Sequence, residues 1–114
     1  MERQQRYGIL TRLRPDKREE YLRLHADVWP SVERMLLDAN IRNFTIFLHD
    51  DLLFGYYEYT GTDHAADQAR IAADPETQRW WTFTDPCQEP MTADSPWAPM
   101  QEVWHLTSQV TQDR

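Results

Sequence analysis

The chain holds little of what several common chemistries require. One cysteine, Cys87, among 114 residues excludes an internal disulfide framework and a cysteine-built zinc cluster. Three glycines, at 8, 55 and 61, leave no glycine-rich loop to cradle a phosphate, so nucleotide and flavin chemistry find no support. Ser31, Ser95 and Ser108 lack the flanking glycines of a nucleophile elbow, and Cys87 has no evident base beside it. The histidines form neither HxH nor HExxH, so no metal site and no cofactor are expected. Positive charge is scarce as well. Twelve Lys and Arg against 19 Asp and Glu give a net charge of −7, the opposite of a nucleic-acid footprint. No apolar run reads as a signal peptide or reaches membrane-spanning length, and the expectation is a cytoplasmic chain with no membrane partner. Its length suits one domain, 1–106, with a polar C-terminal tail at 107–114.

What the chain does have is aromatic side chains: 5 Trp, 5 Tyr and 4 Phe. Most must serve the core, but ring faces also pack on the C–H faces of a pyranose. RYGILTRLR (6–14) reads as a strand ending at Pro15. Asp16 and Glu19 have the spacing of a capping box for a helix that runs on through Leu36 and is kinked or restarted at Pro30. Asn40 suits the left-handed residue after a helix end. Residues 43–59 read as a hairpin turning at Asp50–Asp51, with Gly55 marking a bulge or a close backbone approach. Residues 62–73 read as a helix capped at Asp63 or Thr62, and Asp74–Pro75 opens another that carries QRWWTF. A proline-rich loop over 86–99 precedes a last strand, 100–106. This β-α-β-β-α-β order predicts an α+β, ferredoxin-like split βαβ fold with a four-stranded antiparallel sheet and helices on one face. The bare sheet face calls for a cover, and a second copy supplying it would make a homodimer of the dimeric α/β barrel type.

Only imidazole ionises near neutral pH unperturbed, so the four histidines are the first candidates for acid–base work. His49 and His64 are expected at exposed positions, and His105 lies on the last strand. His25 alone falls on a helix stripe, Tyr21, His25, Val28, Val32, Leu36, that must face the sheet. Two readings stand side by side. Either His25 is a core imidazole satisfied by a carbonyl, or it serves a concave site for hydroxyl groups, with Tyr21 one turn before it and Trp29 one turn after. Trp80–Trp81 presents a similar choice. Adjacent helix positions point about 100° apart, so the helix is wedged between two surfaces or one indole is core and the other a pocket wall.

These residues resemble the L-rhamnose mutarotase family over about residues 7–106. EEYLRLHADVWP (19–30) is similar to the family's E-Y-x-x-x-H-x-x-x-W-P, and NFTIFL (43–48), LLFGYYE (52–58), QRWW (78–81), DSP (94–96) and QEVWHL (101–106) follow in the family's order. The resemblance implies a metal-free and cofactor-free homodimer, an isomerase of rhamnose metabolism that interconverts the α and β anomers of L-rhamnose. It puts the proton donor on His25 and substrate contacts on Tyr21, Trp80 and Trp81. Phe44 stands where the family usually has a sugar-contacting tyrosine, and M-T-A-D-S-P (91–96) stands where it usually has N-P-D-N-S-P. A mutarotase for another 6-deoxyhexose such as L-fucose, or a non-catalytic sugar-binding relative, are the alternatives.

Anomer exchange opens and recloses the sugar ring. One group protonates the ring oxygen while another takes the proton of the anomeric hydroxyl, and each must serve as acid and base by turns. His25 suits one role. Tyr21, a water, Glu102 or Asp94 remain candidates for the other, with Trp29 in support.

Overall fold

Strand β1, Gln5–Leu13, is the one on which the sheet is assembled. The protein, a computed structural model, is described at residues 5–93 and 95–107. β2 (Ile41–His49) and β3 (Leu52–Tyr59) form the predicted hairpin, with Asp50 at φ 52° in its turn. β3 pairs antiparallel with β1, Ile9 opposite Gly55 and Thr11 opposite Leu53. The other edge of β1 is shared: β4 (Gln88–Glu89) pairs with Arg12 and Leu13, and β5 (Ala98–Met100) pairs with Gly8 to Leu10. Reading across the sheet gives β2-β3-β1 with β4 and β5 beyond, the order of the split βαβ arrangement.

Helices cover one face. α1 is Arg18–His25, α2 Pro30–Asp38, α3 His64–Ala73 and α4 Pro75–Thr84. Their caps follow the sequence signals where the backbone leaves room for them. Asn40 closes α2 at φ 70°, the Asp63 carboxylate accepts from Ala66 N at 3.1 Å, and that of Asp74 accepts from Thr77 N at 2.9 Å. The Asp16–Glu19 capping box does not form. Pro15 starts a 3₁₀ turn over Pro15–Lys17, so Asp16 already lies inside helical backbone and no side chain caps α1. The long helix is restarted rather than kinked: α1 stops at His25 and α2 begins at Pro30.

Two further expectations change. The loop 86–99 contains β4, too short for its hydrophobic pattern to show. The last strand is not 100–106: β5 ends at Met100, and residues 101–107 are exposed and outside any strand. The tail residues 108–114 and Asp94 lie outside the described residues.

Side chains on the helix face of the sheet make two clusters. Leu13, Tyr21, Leu53 and Cys87 form one under α1; Ala39, Ile41, Tyr57, Tyr59 and Ile71 form the other under α2 and α3. Each fully buried leucine or isoleucine there contributes about 1.5–3 kcal/mol. Gly55 marks a close approach, because a Cβ there would meet Ile9 Cγ1 at 2.7 Å. The bulge sits on the partner strand instead, between Arg42 and Thr45, where Asn43 adopts φ 55°. The opposite face of the sheet aligns Leu10 with Phe54 and Phe54 with Phe47, the last 62% exposed.

His64 is half-buried rather than exposed. Its ring stacks on Tyr7 at 4.2 Å, and the Tyr57 hydroxyl lies 2.8 Å from its Nε2. Beside it, the Asp67 carboxylate accepts from Tyr59 O–H, from Asn40 Nδ2 at 3.0 Å and from Arg70 Nη1 at 2.7 Å. Those bonds, the Tyr59 hydroxyl's first, hold the Asp67 carboxyl down to about 2. Its folded value lies below its unfolded value of about 4, so its contribution to stability is complete above about pH 5 and is lost as pH falls toward 2. Denaturant unfolding of wild type and Asp67→Asn across this window should show a stability gap that is constant above about pH 5 and narrows toward pH 2. A gap independent of pH would show that the carboxylate is not its source.

Candidate active site

The site begins at the break between α1 and α2. Pro30 is the first residue of α2, and Trp29 before it is extended at φ −63°, ψ 131°, the conformation a following proline favours. His25 is therefore the last residue of α1, with its ring free to fold back along the helix. Its Nδ1 lies 3.0 Å from the carbonyl oxygen of Tyr21. A carbonyl can only accept, so Nδ1 carries the hydrogen and the neutral ring keeps its lone pair on Nε2. The imidazole stacks on the Tyr21 ring at 4.2 Å and meets Trp80 edge-on at 5.5 Å. Burial lowers its pKa, and the bond to the Tyr21 carbonyl, which favours the protonated ring, offsets part of that.

The facing wall comes from α4. Trp80 is 5% exposed and Trp81 37% exposed, so one indole is core and its neighbour is a pocket wall. Trp29 does not line the hollow beside Tyr21 and Trp81; it supports Trp80 edge-on at 5.1 Å and is itself covered by the Arg79 guanidinium at 4.5 Å. Phe44, carried inward by the β2 bulge, lies over Gly55 and against Tyr57 at 5.6 Å. A side chain at position 55 would contest that space.

Tyr21, His25, Phe44, Trp80 and Trp81 thus line a common hollow of about 290 Å³, completed by Thr84, Asp85, Gln88, Pro96 and Trp97. His25 and Phe44 also front a larger hollow of about 500 Å³ along α2, whose other walls are mainly aliphatic (Val28, Val32, Leu36, Ile41) with Glu33 and Asn43 as its polar members. The smaller hollow adds to His25 and the aromatic rings the polar side chains of Tyr21, Thr84, Asp85 and Gln88, a combination that suits a hydroxylated ligand. Two of them, Asp85 and Gln88, escaped the sequence reading. Gln88 Nε2 donates to the Tyr21 hydroxyl at 3.3 Å, and burial pushes that phenol up to about 12. Partial burial of its carboxyl likewise raises Asp85 from its ordinary value. Their only signal was helical phase, since Asp85 follows Trp81 by one turn.

Glu102 is not part of this hollow. It pairs with Arg6 Nη2 at 3.3 Å beyond the end of β5, because the last strand stops before it. Asp94 lies outside the described residues. Among the described residues, no group of three His, Cys, Asp or Glu is placed to hold a metal ion.

A family model described as L-rhamnose mutarotase matches residues 6–106. The chain belongs to the L-rhamnose mutarotase family. Its relatives include the L-rhamnose mutarotase of Oceanobacillus iheyensis, 31% identical over 104 residues that span 89% of this chain and 97% of the relative. That of Opitutus terrae is 36% identical over 95 residues, 76% of this chain and 84% of the relative. Among solved structures, the L-rhamnose mutarotase from Formosa agariphila superposes with a TM-score of 0.73 at 21% identity, covering 90% of this chain and 99% of that one. The tetracenomycin F2 cyclase from Streptomyces glaucescens shares the fold at a TM-score of 0.65 and 16% identity, over 90% and 99% of the two chains. Membership in the mutarotase family was legible from the tyrosine–histidine–tryptophan–proline spacing and the tandem tryptophans.

The bond from His25 to Tyr21 has a direct readout. Long-range ¹⁵N–¹H correlation spectra should show the neutral ring as the Nδ1–H tautomer, titrating below its ordinary value of 6.5. The Nε2–H tautomer would leave a lone pair facing the Tyr21 carbonyl and show that this hydrogen bond is not made.

Proposed function

We propose that this chain is an L-rhamnose mutarotase that interconverts the α and β anomers of the sugar by acid–base ring opening and closure. The observation that carries the reading is the orientation of His25: Nδ1–H is committed to the Tyr21 carbonyl, which leaves Nε2 for the substrate. In this reading the imidazolium donates its Nε2 proton to the ring oxygen as the C1–O5 bond breaks, and takes it back on closure. Trp81 and Phe44 supply apolar faces for the C–H edges of a deoxysugar, and Tyr21 and Gln88 offer hydrogen bonds to its hydroxyls. Trp29 and the buried Trp80 hold the imidazole in place. The reaction moves protons and no electrons, so the proposed chemistry calls for no redox cofactor.

Phe44, in place of the family's usual tyrosine, favours one second reading. A pocket one phenol short makes one hydrogen bond fewer, which keeps L-fucose, another 6-deoxyhexose, in view. The assembly in this proposal is a cytoplasmic homodimer of 1–106 domains. The aligned Leu10, Phe54 and Phe47 on the uncovered sheet face would pack against a second copy, and the buried free thiol of Cys87 suits a reducing compartment. Sedimentation equilibrium should give twice the chain mass for wild type and a shift toward monomer for Phe47→Asp; a monomeric wild type overturns the dimer.

The function is tested by NMR saturation transfer between anomers of L-rhamnose and L-fucose. Wild type should accelerate exchange of L-rhamnose, and His25→Ala should lose about 10²–10⁴-fold of that rate. Acceleration of L-fucose alone would change the substrate, and acceleration of neither would leave a sugar-binding protein.

A further inference from the structure

Ring opening needs a second group, and two of the candidates open at the level of sequence stand poorly for it in the structure. The Tyr21 phenol, at about 12, is ionised to about one part in 10⁵ at neutral pH and is held as a hydroxyl by its surroundings. Glu102 is paired with Arg6 away from the hollow. We infer that Asp85 is the second proton-transfer group, the partner of His25 across the sugar. The inference rests on the mutarotase reading above.

Its position is the first observation. Asp85 follows the last residue of α4 and lines the same hollow as His25. Trp81, four residues earlier, lies one helical turn away on the same side, so a sugar stacked on that indole would reach the carboxylate. The second observation is that the carboxyl has no structural employment. Asp63 and Asp74 cap helices, Asp67 holds three donors, and Glu102 has its arginine. Among the described residues the Asp85 side chain has neither a hydrogen-bond nor an ion-pair partner. It also sits at the C-terminal end of a helix, where the backbone dipole disfavours a negative charge. The side chain is solvent-accessible and unpaired at the edge of the hollow that His25 lines, which leaves it free to meet a substrate there. Burial raises its pKa, which strengthens it as a base.

The chemistry balances with two groups and one transferable proton. His25 begins as imidazolium and Asp85 as carboxylate. The Nε2 proton passes to the ring oxygen while the C1–O5 bond breaks; Asp85 takes the anomeric O–H proton, and that bond's electrons become the aldehyde C=O. The open-chain sugar then rotates about C1–C2. On closure the C5 hydroxyl attacks C1, His25 recovers its proton, and Asp85 returns its own to the former aldehyde oxygen. Nothing is oxidised or reduced.

A pair that works with one proton gives a bell-shaped pH profile whose acid limb belongs to Asp85 and whose alkaline limb belongs to His25. The other titratable group that α1 turns toward this hollow is Tyr21, which stays protonated below about 12, and α2 brings Glu33 to the adjoining hollow that His25 also lines. The end of α4, β4 and residues 95–97 add Thr84, Gln88 and Trp97, none of which titrates in this range.

Saturation transfer over a range of L-rhamnose concentrations and from about pH 4 to about pH 9 tests the assignment. In Asp85→Asn, kcat should fall about 10²–10³-fold with KM within about threefold, and the acid limb should disappear. Asp85→Glu should recover part of the rate and keep that limb. Retention of wild-type kcat, an acid limb unmoved in Asp85→Asn, or a raised KM at unchanged kcat would each overturn the assignment. Failure of the wild type itself on both L-rhamnose and L-fucose would overturn the mutarotase reading and take the role of Asp85 with it. Tryptophan fluorescence on adding L-rhamnose distinguishes a variant that still binds sugar from one that has not folded.

Discussion

Pro30 has no amide hydrogen and a φ fixed near −65°, and the arrangement of the site depends on that constraint. A helix entering Pro30 from the N-terminal side cannot continue, so α1 ends at His25 and the chain turns through residues 26–29 before α2 starts. Termination at that point does two things at once. It leaves the imidazole on a last turn where its Nδ1–H reaches the Tyr21 carbonyl, and it projects Trp29 sideways against Trp80. The indole of α4 is thereby clamped between Trp29 and His25, which fixes the distance between the two walls of the hollow.

A single physical cause, removal from water, acts on the ionisable groups around this hollow in the directions the chemistry asks for. It lowers the His25 imidazolium toward easy release of its proton, raises the Asp85 carboxyl toward easy uptake, and keeps the Tyr21 phenol and the Cys87 thiol neutral. Groups with ordinary pKa values of about 4 and about 6.5 are thus brought closer together, as the proposed transfer of a proton between them requires. Aromatic walls achieve this without opposing charges, which would pull the two values apart again.

Much of this was legible in the sequence because the determinants are local. The caps at Asp63 and Asp74, the left-handed Asn40, the Asp50 turn and the interruption at Pro30 are each decided within a few residues. The stripe Tyr21–His25 and the tandem tryptophans were visible for the same reason, as helical phase. What escaped is non-local. The Asp16 cap fails because Pro15 starts the helical turn one residue too early for it. β4 is two residues long and exists only because β1 offers an edge to it. The extent of β5 depends on where that edge runs out, and with it went Glu102, assigned to the site on the strength of a strand that ends at Met100. Asp85 and Gln88 went unnoticed because nothing in their neighbours says which way the chain turns after α4.

Cys87, the one thiol of the chain, is 1% exposed, directs its Sγ to the Phe83 carbonyl at 3.5 Å and lies next to Gln88 at the floor of the hollow. A thiol so placed cannot meet an alkylating reagent while the junction of α4 and β4 is closed. Its labelling rate is then the reagent's intrinsic rate multiplied by the fraction of time that junction is open. The protein carries a built-in clock for the breathing of its own binding floor. A ligand that holds the junction of α4 and β4 closed slows that clock in proportion to its occupancy.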